Sequence, residues 1–171
     1  MINPCAELIE ESYILRAEKL GAALLCDGAK AAKLDMVNCG CMEAGIMPVD
    51  RGMAMAGTAM TVETSDGDNF PIHVASYSAP GAGYVMVIDG KGYTGKAYCG
   101  DLIMGACQAV GFRGMVVDGY TRDRDRNIEL GFPVYSRGFM PNGPVKKKEG
   151  NINTEIQCGG VPVCPGDLVV G

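Results

Sequence analysis

Gly100-Asp101-Leu102-Ile103, followed after one helix and one strand by Arg122-Asp123, is the stretch on which the reading of this chain turns. The segment from Tyr84 to Asp123 reads as strand, glycine-rich loop, helix, strand and loop. Asp101 opens the helix, and Arg122 and Asp123 follow the second strand. If the two strands are parallel, both loops lie at the same carboxyl edge of one sheet, where open α/β sheets place their ligands. Two carboxylates, one guanidinium and a helix N-terminus then converge on a small volume. That is the equipment for a divalent metal on oxygen ligands and a small carboxylate substrate.

Outward from this segment, the patterning predicts a layered α/β or β/β/α domain. Pro4 suits a first helical turn after Asn3, and Leu8, Ile9, Ser12 and Leu15 form a stripe ending near Gly21. A second helix is expected from about Ala22 to Leu34, then a Gly- and Pro-punctuated loop from Asn38 to Asp50. Strands follow at about Ala54–Glu63 and Tyr84–Asp89, with a helix near Asn69–Ser76 between them. On the Asp101–Val110 helix, Leu102, Ile103, Ala106, Cys107 and Val110 share a face, and Gly111 is placed to end it. Met115–Val117, Pro133–Ser136, about Ile156–Cys164 and Leu168–Val170 complete the strand candidates. No repeat or low-complexity segment interrupts the chain.

At 171 residues the expectation is one domain, 1–171, with residues 1–21 as an N-terminal helix. A formal charge of −5 argues against a general nucleic-acid binder, which would show a basic face. The apolar runs are short and broken by Gly, so no membrane span is expected. Met1-Ile2-Asn3-Pro4 lacks the basic and apolar regions of a secretory signal, and a cytoplasmic location follows as the expectation. Of the eight cysteines only Cys39 and Cys41 are close in sequence. With one histidine, His73, and no C-x-x-C, a structural zinc site is not expected. Most of the thiols read as small, buried, reduced hydrophobes.

Competing motifs surround the central stretch. Gly90-Lys91-Gly92-Tyr93-Thr94-Gly95 matches the G-x-G-x-x-G of dinucleotide sites, with Asp118 after the next strand. The helix starts too late for that role, and Asp101 puts a negative charge where a phosphate would sit. Gly90 to Lys96 also approaches a P-loop, but Ala97 occupies the Ser/Thr position. Asp101 itself is either an N-cap aspartate or a site carboxylate beside free N–H groups. Arg122-Asp123-Arg124-Asp125-Arg126 is either a solvated charge run or, in its first pair, a site. In the second reading Asp123 binds a metal and the planar fork of Arg122 grips a carboxylate, while Arg124, Asp125 and Arg126 stay on the surface. His73, with Asp68 and Asn69, is an acid–base candidate or a packed histidine. Lys146-Lys147-Lys148 reads as an exposed loop.

Asp68-Asn69 with His73, Val87-Ile88-Asp89-Gly90, Gly100-Asp101-Leu102, Val116-Val117-Asp118-Gly119, Arg122-Asp123, Pro133 to Gly138, Cys158 to Val161 and Pro165 to Gly171 occur in a family-like order. This ordered set resembles the RraA-like family, which includes the class II 4-hydroxy-4-methyl-2-oxoglutarate (HMG/CHA) aldolases, over about residues 22 to 171. The resemblance implies a compact β/β/α swivelling-type sandwich domain with N-terminal helices, self-associated as a homotrimer or hexamer with sites between subunits. It implies that Gly100, Asp101, Leu102 and Ile103 bind the pyruvyl part of a 2-oxo acid and that Arg122 contacts it. Asp123 would hold Mg²⁺ or Mn²⁺. The reaction implied is retro-aldol cleavage of a 4-hydroxy-2-oxo acid to pyruvate and a second oxo compound, with oxaloacetate decarboxylation as an accompanying activity, both through an enolate. Asp101 is expected to orient water in place of a side-chain base. Family members that inhibit ribonuclease E lack the Arg-Asp pair, which this chain keeps. A non-enzymatic regulator binding a ribonuclease or other protein is the alternative, and a dinucleotide module the third. Two departures stand out. Cys26-Asp27-Gly28-Ala29 replaces a Ser-Asp-Ala-Leu type stretch, and the chain is expected to stop short of the family's C-terminal strand and helices. Family descriptions as menaquinone methyltransferases find no support in these residues.

Overall fold

A computed structural model describes residues 1–34, 40–78, 80–147 and 150–171. In chain order its elements are α1 (Glu11–Ala31), β1 (Met47–Pro48), β2 (Ala56–Glu63), α2 (Phe70–Ser78), β3 (Tyr84–Cys99), α3 (Asp101–Ala109), β4 (Gly114–Thr121), α4 (Arg124–Leu130), β5 (Val134–Phe139), β6 (Asn151–Ile152), β7 (Ile156–Cys158), β8 (Val161–Val163) and β9 (Leu168–Val170). The main sheet runs β1-β5-β4-β3-β2-β6, with β9 also on β2. Its centre is parallel: β2 pairs with β3, β3 with β4 and β4 with β5. One helix follows each of β2, β3 and β4 before the next strand.

Because side chains alternate across a strand, each central strand feeds two cores. Met60, Val62, Met86, Ile88, Met115 and Val117 pack with Ile72 of α2 and Ile103, Met104 and Cys107 of α3. Ala59, Val85, Val87 and Val116 face the other way, onto Ile156 and Cys158 of β7, Val163 of β8 and Val169 of β9. The layers are therefore hairpin, sheet and helices, a mixed α/β sandwich of the expected class.

Several boundaries differ from the expectation. Residues 3–10 are not helical; α1 starts at Glu11. The leading segment is committed elsewhere: Asn3 N–H donates to the Ile152 carbonyl (3.1 Å), Ile9 N–H to Thr58 Oγ1 (3.0 Å), and Tyr84 Oη to the Ala6 carbonyl (2.5 Å). Tertiary hydrogen bonds override a local stripe there. Gly21 does break the helix, at φ 73° and ψ 163°. Of the Asn38–Asp50 loop, Asn38 and Cys39 lie outside the described residues, and Met47–Pro48 pairs antiparallel with β5. The expected strand over 156–164 is a hairpin, turned by Gly159 (φ 57°) and Gly160 (φ 79°), the positive-φ pair that a two-residue turn requires.

The glycine-rich stretch is strand, not loop. β3 continues to Cys99, but between Ile88 and Tyr93 it spends five residues where β4 spends two, and it slips register again before Ala97 and Cys99. Lys91 (φ 58°) and Gly92 (φ 64°) turn this bulged excursion. Gly90 is small because Tyr98 lies over it: a Cβ would come within 2.6 Å of the Tyr98 ring, whose hydroxyl donates to the Gly90 carbonyl (2.7 Å). These glycines serve strand packing, and the next helix, α3, starts only at Asp101 after β3 has ended. Asp118 is buried in an ion pair with Arg137 and accepts the Gly159 N–H (2.7 Å), so it is not poised for a ribose. The dinucleotide geometry is not formed.

Candidate functional site

The parallel pairing of β3 with β4 brings the two loops together. Cys99 is opposite Thr121 in the ladder, and the Arg122 N–H donates to the Cys99 carbonyl at 2.9 Å. Gly100-Asp101 and Arg122-Asp123 therefore leave adjacent strand ends side by side. Gly100, not Asp101, is the N-cap of α3, in an extended conformation (φ −141°). Asp101 is the first helical residue, and its carboxylate makes no hydrogen bond or ion pair among the described residues. The capping alternative for Asp101 is thereby replaced by a free carboxylate at a helix N-terminus.

Asp123 occupies the left-handed region (φ 57°, ψ 43°), which Asp tolerates better than most residues. That backbone turn sends its side chain back over α3: Oδ2 lies 3.1 Å from Arg122 Nε and 3.4 Å from the Asp101 N–H nitrogen. The Arg122 contact has ion-pair distance without hydrogen-bond alignment, since Nε is buried and otherwise unpartnered. The pair leaves Asp123 Oδ1 and the terminal nitrogens of Arg122 for a ligand. A cavity of about 290 Å³ opens beside them, lined by Arg122, Asp123, Phe139, Met140 and Pro141. A larger hollow of about 380 Å³, lined by Met1, Ile2, Phe70, Pro71, Val74, Gly150 and Ile152, has no charged side chain. Chemistry, not size, selects the first.

Ile103 is buried in the helix-side core, while Leu102 is 80% exposed at the rim. Of the expected set, then, Gly100, Asp101, Arg122 and Asp123 come together directly. Leu102 and Ile103 contribute free first-turn N–H groups. Arg124 is exposed but anchored: Nε donates to the Val49 carbonyl (3.2 Å) and the guanidinium lies 5.5 Å over the Phe139 ring. It opens α4, a helix the charge run concealed. The apolar wall Phe139-Met140-Pro141 also escaped the sequence reading, which ended the Pro133 strand at Ser136 where β5 runs on to Phe139. Its neighbour β4 ends at the same sheet edge, which was the available signal.

His73 does not join the site. Its ring stacks on Tyr77 with centroids 6.4 Å apart, and burial, then the Lys146 charge, hold the imidazole below its usual pKa of 6.5. Asp68 is buried and accepts the Phe70 N–H (2.8 Å) and the Lys147 N–H (2.7 Å), fastening the start of α2. Lys146 and Lys147 are exposed, as expected; Lys148 lies outside the described residues.

For a metal, Asp123 supplies the carboxylate at the cavity with Asp101 at the adjacent helix start, and among the described residues no group of three or more His, Cys, Asp or Glu converges. That set suits Mg²⁺, which is commonly held by one or two carboxylates with water and substrate oxygens completing the shell. It does not suit a structural zinc.

Comparisons with known proteins place the chain in a family. A Halalkalibacterium halodurans protein that carries the provisional name 4-hydroxy-4-methyl-2-oxoglutarate aldolase is 42% identical over 126 residues, 74% of this chain and 60% of that protein. The first curated relatives are spanned over only 55% to 62% of their own length. Among solved structures, Streptomyces coelicolor RraAS2, titled an unusual member of an RNase ES inhibitor family, superposes with a TM-score of 0.81 at 24% identity, covering 96% of this chain and 82% of that one. The Thermus thermophilis RNA-processing inhibitor RraA gives 0.70 at 23%, covering 76% and 78%. Both share the fold. The profile described as Aldolase/RraA matches residues 22–171, and the chain belongs to the RraA-like family.

Proposed function

We propose that this chain carries the site of a divalent-metal-dependent lyase that cleaves a 4-hydroxy-2-oxo acid to pyruvate and a second oxo compound. One observation carries the reading: Asp123 Oδ2 ties Arg122 and the start of α3 into a single unit at the mouth of a cavity. A regulator that acts only through its outer surface has no need of a guanidinium and a carboxylate paired over a helix N-terminus at one strand edge. The name of the 42% identical relative supports the same chemistry.

The residues divide the work. The terminal nitrogens of Arg122 hold the 2-oxo or carboxylate oxygens and oppose the negative charge that develops there. One such donor is worth on the order of 3 kcal/mol in the barrier. The free N–H groups of Leu102 and Ile103 receive the substrate carboxylate. Asp101, unpaired and half-buried, orients the water that carries the proton. Phe139, Met140 and Pro141 shield the reacting carbons from bulk water. A Mg²⁺ or Mn²⁺ ion held by Asp123 would supply Lewis-acid polarisation of the 2-oxo group. The same site would accept oxaloacetate, whose decarboxylation develops charge at the same oxygen.

Leu102 and Tyr77, each 80% exposed, and Phe70 are large apolar side chains on the helical side of the sheet. They fit an oligomer, trimer or hexamer, in which a neighbour closes the site. Turnover of oxaloacetate and of 4-hydroxy-2-oxo acids, with and without EDTA, tests the reading. Metal-dependent pyruvate formation supports it. Inertness of the folded, metal-loaded protein would favour the RraA-type regulator instead. Sedimentation velocity tests the assembly, and a fully active monomer would remove the shared site.

A further inference from the structure

Two thiols outside the site meet across the surface. Cys26 is on the second half of α1, past the Gly21 break, and Cys41 lies on the segment leading to β1. Their sulfurs are 3.1 Å apart, about 1 Å beyond a covalent S–S bond of roughly 2.05 Å. Cys41 is exposed and Cys26 half-buried, so small reagents reach them, unlike the buried Cys99, Cys107 and Cys158. Only three of the seven described cysteines are buried, so the expectation that most of the thiols are buried hydrophobes does not hold.

We infer that Cys26 and Cys41 form a reversible dithiol–disulfide site, oxidised by low-molecular-weight disulfides of the glutathione type. The segment it would fasten is structurally connected. Two residues on from Cys41, the Glu43 N–H donates to the Gly159 carbonyl (2.8 Å) and the Glu43 carboxylate pairs with Arg137 Nη1 (2.9 Å). Arg137 in turn pairs with the buried Asp118 of β4. The bridge therefore ties α1 to a strap that is itself held to the sheet.

The exchange balances. The Cys41 thiolate attacks one sulfur of the reagent disulfide, an S–S bond breaks, and one reagent thiolate leaves. Cys26 then gives its proton to solvent and attacks Cys41 Sγ, expelling the second thiolate. The protein loses two electrons and two protons, and the reagent disulfide gains them as two thiols. The hydrogen bond shared with Cys41, then burial and the neighbouring charges of Cys41 and Asp27, push the Cys26 thiol up, consistent with Cys26 as the resolving partner.

The test treats the intact reduced protein with oxidised glutathione and follows it by intact mass and peptide mapping. The expected result is loss of two hydrogens, one Cys26–Cys41 cross-linked peptide, and a rise in Tm of roughly 5–10 °C that a reductant reverses. Cys26→Ser and Cys41→Ser should each abolish the link and the shift, while Cys39→Ser keeps both. Stable glutathione adducts on both cysteines, or a link that survives Cys41→Ser by passing to Cys39, would overturn the assignment.

Discussion

Gly100 lies directly beneath Asp123: a Cβ added to Gly100 would collide with Asp123 Oδ2 and come within 2.9 Å of Arg122 Cγ and Nε. The φ of −141° at Gly100 is open to any residue, so the need for glycine is spatial. The Arg-Asp pair can fold over the helix start only because nothing projects from that position.

Gly100→Ala should therefore displace the Arg122–Asp123 unit while leaving the sheet intact. We expect kcat/KM to fall at least 100-fold, the far-UV spectrum to stay unchanged and Tm to drop by only a few degrees. Steady-state kinetics beside a thermal melt separates these outcomes. Near-normal activity would show that the two side chains need not sit where they do.

Asp123→Asn changes charge with little change in shape, and Asn also tolerates the left-handed backbone that Asp123 adopts. Metal-stimulated turnover should vanish and Mn²⁺ binding by calorimetry should weaken by more than tenfold, with stability nearly preserved. Retention of metal-dependent activity would remove Asp123 from the metal.

Arg122→Lys keeps the positive charge and loses the fork. Because Nε of Arg122 already faces Asp123, a lysine cannot serve the carboxylate and a ligand in the same geometry. A fall of roughly 100-fold in kcat/KM is expected, about 3 kcal/mol in the barrier. Wild-type kinetics would reduce Arg122 to a surface charge.

Acid stability offers a check away from the site. Hydrogen bonds from Lys91 (2.8 Å) and Asn151 (2.5 Å) hold the Glu63 carboxyl below its usual pKa of 4.5, against the opposing effect of burial. A folded-state pKa below the unfolded one gives stability that is present above about pH 4.5 and lost as pH falls through the folded value. Glu63→Gln should lower stability at neutral pH and flatten the acid limb. Urea titrations between about pH 3 and 7 measure it, and an unchanged acid limb would mean the pair is solvent-screened.

Much of the scaffold was legible because its information is local. Alternating and continuous apolar runs at Tyr84–Asp89 and Met115–Val117 mark strands, and the break at Gly21 and the helix opening at Asp101 follow from backbone and side-chain properties of single residues. Their order along the chain then makes a parallel sheet with a ligand edge the simplest arrangement, which is why Gly100, Asp101, Arg122 and Asp123 could be named together. The remainder depends on contacts between distant residues. The 3–10 segment has a helical stripe but bonds to β2, β3 and the residues around β6. The Gly90–Gly95 motif looks like a phosphate loop until Tyr98 closes over it, and α4 is hidden in a run of alternating charge whose helix is stabilised against α3. The Phe139–Pro141 wall and the Cys26–Cys41 pair depend on which segments the fold makes neighbours. A pattern along the chain specifies which face of an element is apolar; it does not specify what that face meets, and the shape of the site was decided by that meeting.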